Sequence, residues 1–251
     1  MSTLDHYKQA FNSVGWFIPP YVTMGFLSNL TKTIRDHAGT FNQQQLESFL
    51  AQIYSPGNLA VMVTERYPIT PYVQEYKEII SEAVAAHFLS LDHVAVAGLM
   101  PVIEGAGRRL ADSRAVAITR REGIGSLFEK LAEHCKEDAI HNNIGAVGEI
   151  LSMMDSFIEF ARRNLYIDSS SYMGSDKTNR HGILHGAYSD ADYGTPVNFY
   201  KSIGAVDFLC FVSACRASIS WFAPEPTNAS GLLAAHYAAC ITTGKARPRP
   251  A

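Results

Sequence analysis

Apolar residues recur along this chain every three or four positions, the spacing that places them on one side of an α-helix. Alternating apolar and polar runs bounded by Asn-Gly or Asp-Gly, the mark of hairpin strands, are not found. A helix is predicted over 21–38, closed by Gly39. A second covers 43–54 and stops at "SPG", and a short third covers 59–66 and ends near Pro68. The next stretch carries Ile79, Ala83, Ala86, Leu89, His93, Ala97 and Met100 at helical spacing. Pro101 has no backbone N–H to donate, so a kink or restart is expected there. In the continuation, Glu104 and Arg108 are four apart and face each other on one side of a helix.

Ser126 in "SLFEK", with Glu129 three residues on, has the pattern of a capping box opening a helix. A further helix over 144–166 presents Ile150, Met153, Met154, Phe157, Ile158 and Ala161, with the two methionines as core filler. After a polar loop, Thr195 caps and Pro196 begins a long core helix. A shorter one over 231–241 precedes a basic, proline-rich end. The pattern predicts an all-α, multi-helix bundle. It divides into an N-terminal helical region over 1–70, a bundle over 71–243 and a flexible tail over 244–251, with the first boundary marked by Pro68 and Pro71.

Composition narrows the class. Hydrophobic residues make up 47% and charged residues 18%, which suits a folded chain and not a disordered one. The net charge of −3 argues against a strongly basic nucleic-acid coat but allows a local basic strip. Arg108, Arg109, Arg114, Arg120 and Arg121 are candidates for such a strip; a solvated face explains them equally. Cys135, Cys210, Cys215 and Cys240 form no zinc-like spacing. The start, "MSTLDHYKQAF", lacks a basic block followed by an apolar one, and the longest apolar run is interrupted by Asp207 and Arg216. A cytoplasmic protein without a membrane span is the expectation.

The densest chemistry lies in "NRHGILHG", Asn179 to Gly186. On a regular helix, His181 and His185 lie about 40° apart, and Arg180 about 140° from His185. Three readings compete. Two histidines four apart suit zinc, but Gly182 stands where a metalloprotease motif needs Glu, and no third ligand is evident. A polar helix start capped by Asn179 or Thr178 is the plainest reading. Against it, Gly182 and Gly186 would each cost about 1 kcal/mol relative to Ala inside a helix. Two small residues four apart also let another backbone, such as a second subunit's, come close. The third reading is a phosphodiester site: the forked, permanently charged Arg180 binds phosphate, and a histidine exchanges protons near neutral pH.

"RHGILH" resembles the Rx4-6H motif of the HEPN superfamily, in which the residue after Arg is usually Asn, Asp or His. The block "NRHGILHGAYSDADYGTPVNFYKSIGAVDFL" and the earlier "HVAVAGLMPVIEGAGRRL" are similar to corresponding blocks of bacterial helical proteins of that superfamily, so the resemblance spans roughly 81–222. It implies a HEPN-like bundle over 71–243 and a metal-independent endoribonuclease acting on RNA, commonly as a homodimer that brings two motifs into one cleft. No cofactor is implied. Carried onto this chain, Arg180 would stabilise the scissile phosphate, His185 would act as general acid or base, and His181 would orient the site or touch the phosphate. Glu104, Arg108 and Asn179 would support it, and Tyr188 and Tyr193 could stack bases. Membership of an antiviral defence or toxin system is a further expectation. Some HEPN domains lack nuclease activity, so a non-catalytic module that binds a nucleotide or a partner protein is the alternative.

Overall fold

The computed structural model describes residues 4–119 and 122–248. They form α1 (Asp5–Ser13), α2 (Met24–Asp36), α3 (Gln43–Ile53), α4 (Pro56–Val61), α5 (Lys77–Phe88), α6 (Asp92–Ser113), α7 (Ile124–His141), α8 (Val147–Phe160), α9 (Arg180–Leu184), α10 (Pro196–Ala214) and α11 (Asn228–Ala246). No strand occurs among the described residues, so the bundle is all-α. Nor is any described helix long and apolar enough to cross a membrane.

α10 is the hub. It packs on α3 and α6 and is buried along almost its whole length. Trp16, Phe17, Phe157, Phe160 and Phe208 form one aromatic cluster beside it. Gly204 admits this packing, since a Cβ there would lie 2.5 Å from the Trp16 ring. α1, α3 and α4, all before Pro71, pack on α8, α10 and α11 respectively. α11 continues through Gly244 to Ala246, where Gly244 lies directly against the backbone of Leu89.

Several helix ends differ from the sequence pattern. The helix expected over 21–38 starts only at Met24, capped by the Thr23 hydroxyl, and Tyr21 has a left-handed backbone with φ 63°. The third helix begins at Pro56, capped by Ser55, and passes into a π turn at Met62–Arg66. α6 runs without interruption through Pro101, whose exposed position leaves the lost hydrogen bond facing water. The break falls earlier. Ser90 takes φ 58°, Ser90 N–H bonds His87 O at 2.8 Å, and Leu91 N–H bonds Ala86 O at 2.9 Å. This is a Schellman closure with serine in the position usually held by glycine. The helical register restarts there. Within α5 itself the buried face runs through Ile80, Ala83 and Val84, and Ile79 is 42% exposed. Ser126 opens no helix: α7 starts at Ile124 behind Gly123, so that Ile124 joins Leu127, Phe128 and Leu131 in the core. α8 spans Val147–Phe160 and ends in a second π turn, Ala161–Leu165.

Candidate active site

The site is built on the short α9, and buried polar groups set its position. Asn179 is fully buried at the N-cap. Its Oδ1 accepts from Gly182 N–H at 2.9 Å, and its Nδ2 donates to Asn164 O at 3.0 Å and Ile167 O at 2.9 Å. One side chain thus starts α9 and ties it to the π turn that ends α8. The cap expected from the sequence is present, with Asn179 and not Thr178 in the role.

Thr178 belongs to a second anchor. Lys201 Nζ, on α10, lies 2.7 Å from Asp176 Oδ2, and both side chains are essentially inaccessible. Tyr172 donates to Asp176 Oδ1 at 2.8 Å, Thr178 donates to Asp176, and Lys201 also donates to Gln43 Oε1 at 2.9 Å. Burial disfavours the Asp176 charge, but Lys201 and the hydroxyl donors hold its pKa below the ordinary carboxylate range. Burial pushes Lys201 down against the pull of Asp176. Breaking one partner of such a pair leaves an uncompensated buried charge. Sequence reasoning missed this network. The available signal was Lys201 inside an otherwise apolar helix, where an unpaired ammonium is costly.

α9 is only five residues long, so the two glycines do not both sit in a helix interior. Gly182 lies under Tyr188: a Cβ would meet its ring at 2.2 Å. At Gly182 the close approach is by this chain's own tyrosine, whereas a Cβ at Gly186 would meet nothing within 4 Å. His185 is the C-cap, Gly186 follows with φ 70°, and Tyr188 N–H returns to Gly182 O at 3.0 Å. This reversal needs a left-handed residue, which glycine supplies without a Cβ clash.

The reversal delivers Arg180, His181 and His185 to one place. Arg180 Nη1 lies 2.9 Å from His185 Nε2 and 3.4 Å from His181 Nδ1. The two imidazoles stack with centroids 5.7 Å apart. From α6, Glu104 forms an ion pair with Arg180 and accepts from Nη2 at 3.2 Å. Glu104 thus pairs across to α9 and not with Arg108 along its own helix, as its spacing suggested. Burial first, then the charge of Arg180 and the neighbouring His185, lower the pKa of His181. A cleft of about 440 Å³ opens beside the group, lined by Glu104, Arg108, Thr119, Glu122, Arg180 and His181.

The remaining expected residues separate. Arg108 is exposed at the cleft. Arg109 pairs with Glu75, whereas Arg114 is buried and donates to Asp138 at 2.6 Å. Arg108, Arg109 and Arg114 therefore do not form one solvated strip, and Arg120 and Arg121 lie outside the described residues. Tyr188 is half-buried over Gly182, and Tyr193 packs edge-on against His93 at 4.8 Å. His181 and His185 have no third candidate metal ligand grouped with them among the described residues. The site can bind an anion through Arg180 and move protons through two imidazoles. Comparison of the chain with protein-family models, curated proteins and solved structures gives no match.

Proposed function

We propose that this protein is a metal-independent endoribonuclease of HEPN type. The observation that carries the reading is the contact between Arg180 and His185 at 2.9 Å, with His181 beside them. A guanidinium can donate to a neutral imidazole, but protonation of the histidine removes that acceptor and brings two cations together. A phosphate between them resolves that conflict.

In this reading an RNA phosphate enters the cleft and takes the Arg180 Nη1 donor from His185. Arg180 stabilises the charge that builds on the non-bridging oxygens. The ribose 2′-oxygen attacks phosphorus as the bond from phosphorus to the 5′-oxygen breaks. His181, whose lowered pKa keeps it neutral at physiological pH, takes the 2′-OH proton, and His185 gives a proton to the departing 5′-oxygen. The products are a 2′,3′-cyclic phosphate and a free 5′-OH. The nucleophile resides in the substrate, so no metal is needed to generate it. Pairing of two copies would place two such motifs in one cleft, and a role in defence or toxin systems would fit this chemistry.

The test is a synthetic RNA and the same oligonucleotide with a single 2′-deoxy substitution at the cleaved nucleotide. The reading requires cyclic-phosphate ends from the first and no cleavage at that position in the second. Cleavage of both, with 5′-phosphate ends, contradicts it.

A further inference from the structure

A second cavity lies on α10 away from the Arg180 site. It is enclosed by the chain leading into α2, the end of α3, α4 with its π turn, and residues 223–226 before α11. Its volume is about 480 Å³, the size of a small-molecule site. Tyr21, Phe26, Ile53, Tyr54 and Met62 give it apolar and aromatic walls. Asp207, the only carboxylate of α10, also lines it.

The polar groups here are incompletely matched. Asp207 is 5% exposed. Tyr67 donates to its Oδ1 at 2.8 Å, and the charge of nearby Arg66 acts on the carboxylate without a direct ion pair among the described residues. Arg66 is near, with its two terminal nitrogens committed elsewhere and its Nε buried without a partner. Its Nη1 and Nη2 donate to Ser220 O at 2.8 Å and Phe222 O at 2.5 Å, and its guanidinium lies over the Tyr21 ring at 5.1 Å. The Tyr21 hydroxyl is buried without a partner. A buried carboxylate without a direct ion pair is costly, and so is an unpaired buried hydroxyl. Residues of one functional site rarely leave two such demands side by side unless something else meets them.

We propose that this cavity is a binding site for a small organic cation, an amine or amidine with an apolar body, whose N–H groups donate to the Asp207 carboxylate and whose body lies among Tyr21, Phe26 and Tyr54. Charge complementarity favours a cation: the cavity is lined by Asp207 and Glu225, while Nη1 and Nη2 of Arg66 are turned to backbone carbonyls and only its Nε is left without a partner. The aromatic walls add the favourable contact between a cation and a ring face. Burial raises the Asp207 carboxyl to about 7, and a bound cation would favour its charged form. This site is separate from the Arg180 cleft and stands whether or not the chain cleaves RNA.

The probe is benzamidinium, with neutral benzamide as its near-isostere, titrated calorimetrically into the full-length protein. Benzamidinium is expected to bind with one-to-one stoichiometry, and benzamide about tenfold more weakly or worse, since hydrogen bonds to a charged group account for that difference. Asp207→Asn should abolish the preference. Val22→Trp, which fills the mouth from a half-buried position and leaves Asp207 in place, should abolish binding. Failure of benzamidinium to bind, equal binding of benzamide, or undiminished binding in Val22→Trp would each overturn the proposal. The last two comparisons decide it even if Asp207→Asn does not fold.

Discussion

Arg180 donates through Nη1 to Nε2 of His185, five residues on, at 2.9 Å. On a continued helix the two would lie about 140° apart. They meet because α9 ends at Leu184 and His185 leaves it as the C-cap. The short helix is therefore part of the site's geometry, and its two ends, Asn179 and Gly186, set where the charged groups fall.

Glu104 holds Arg180 from α6 and offsets its charge. Glu104→Gln should release that charge while loosening the guanidinium. Binding of a non-cleavable 2′-deoxy oligonucleotide should tighten about fivefold, the equivalent of roughly 1 kcal/mol. The cleavage rate at saturation should fall, because orientation is lost. Fluorescence anisotropy and single-turnover kinetics on the same variant separate the two effects. Weaker binding together with an unchanged rate would show that Glu104 does neither.

Gly182 leaves no room for a side chain under Tyr188. Gly182→Ala should cost about 1–3 kcal/mol through overpacking. The cost should shrink when Tyr188 is also truncated to Ala, since the two share one space. A thermal-denaturation double-mutant cycle measures the coupling. Strictly additive losses would mean that the ring does not occupy the space above Gly182.

Asp207 connects pH to stability. Its carboxyl is raised by burial to about 7 in the folded protein, against an ordinary value of 3.8 in the unfolded chain. Between these values the unfolded state loses the proton first. The group's contribution is fully present below about pH 4 and is lost as pH rises through about 7. The loss is on the order of 4 kcal/mol at full deprotonation, an upper figure for a relaxed interior. Asp207→Asn removes this dependence. The stability of the variant relative to wild type should therefore rise from pH 5 to pH 8, as read from urea denaturation at each pH without added ligand. A difference that stays flat across the range would mean that Asp207 titrates normally.

Much of the bundle was legible in the chain. The all-α class, the Asn179 cap and Pro196 as the first residue of α10 follow from local patterns whose physical causes are also local, whereas the Thr195 hydroxyl expected to cap α10 donates to Asn198 Oδ1 and makes no cap hydrogen bond. The failures share another origin. Pro101 stands within α6 because its lost hydrogen bond faces solvent, which depends on the side of the helix that packs. Ser90 ends α5 in a conformation usually signalled by glycine. Glu104 chooses Arg180, 76 residues away, over Arg108 four residues away. The Asp176–Lys201 pair likewise joins a loop to the central helix. In the last two cases tertiary packing, which no short window contains, selected the partner.

Arg180 and His185 are proposed to cleave RNA together without a metal. The most direct measurement is cleavage of a mixed RNA pool in EDTA by wild type and by His185→Ala, after the variant is shown to be folded and in the same oligomeric state. Wild type is expected to cleave in EDTA, leaving cyclic-phosphate ends, and the variant to lose that cleavage. Equal cleavage by both, or cleavage by wild type only when a divalent metal is supplied, would contradict it.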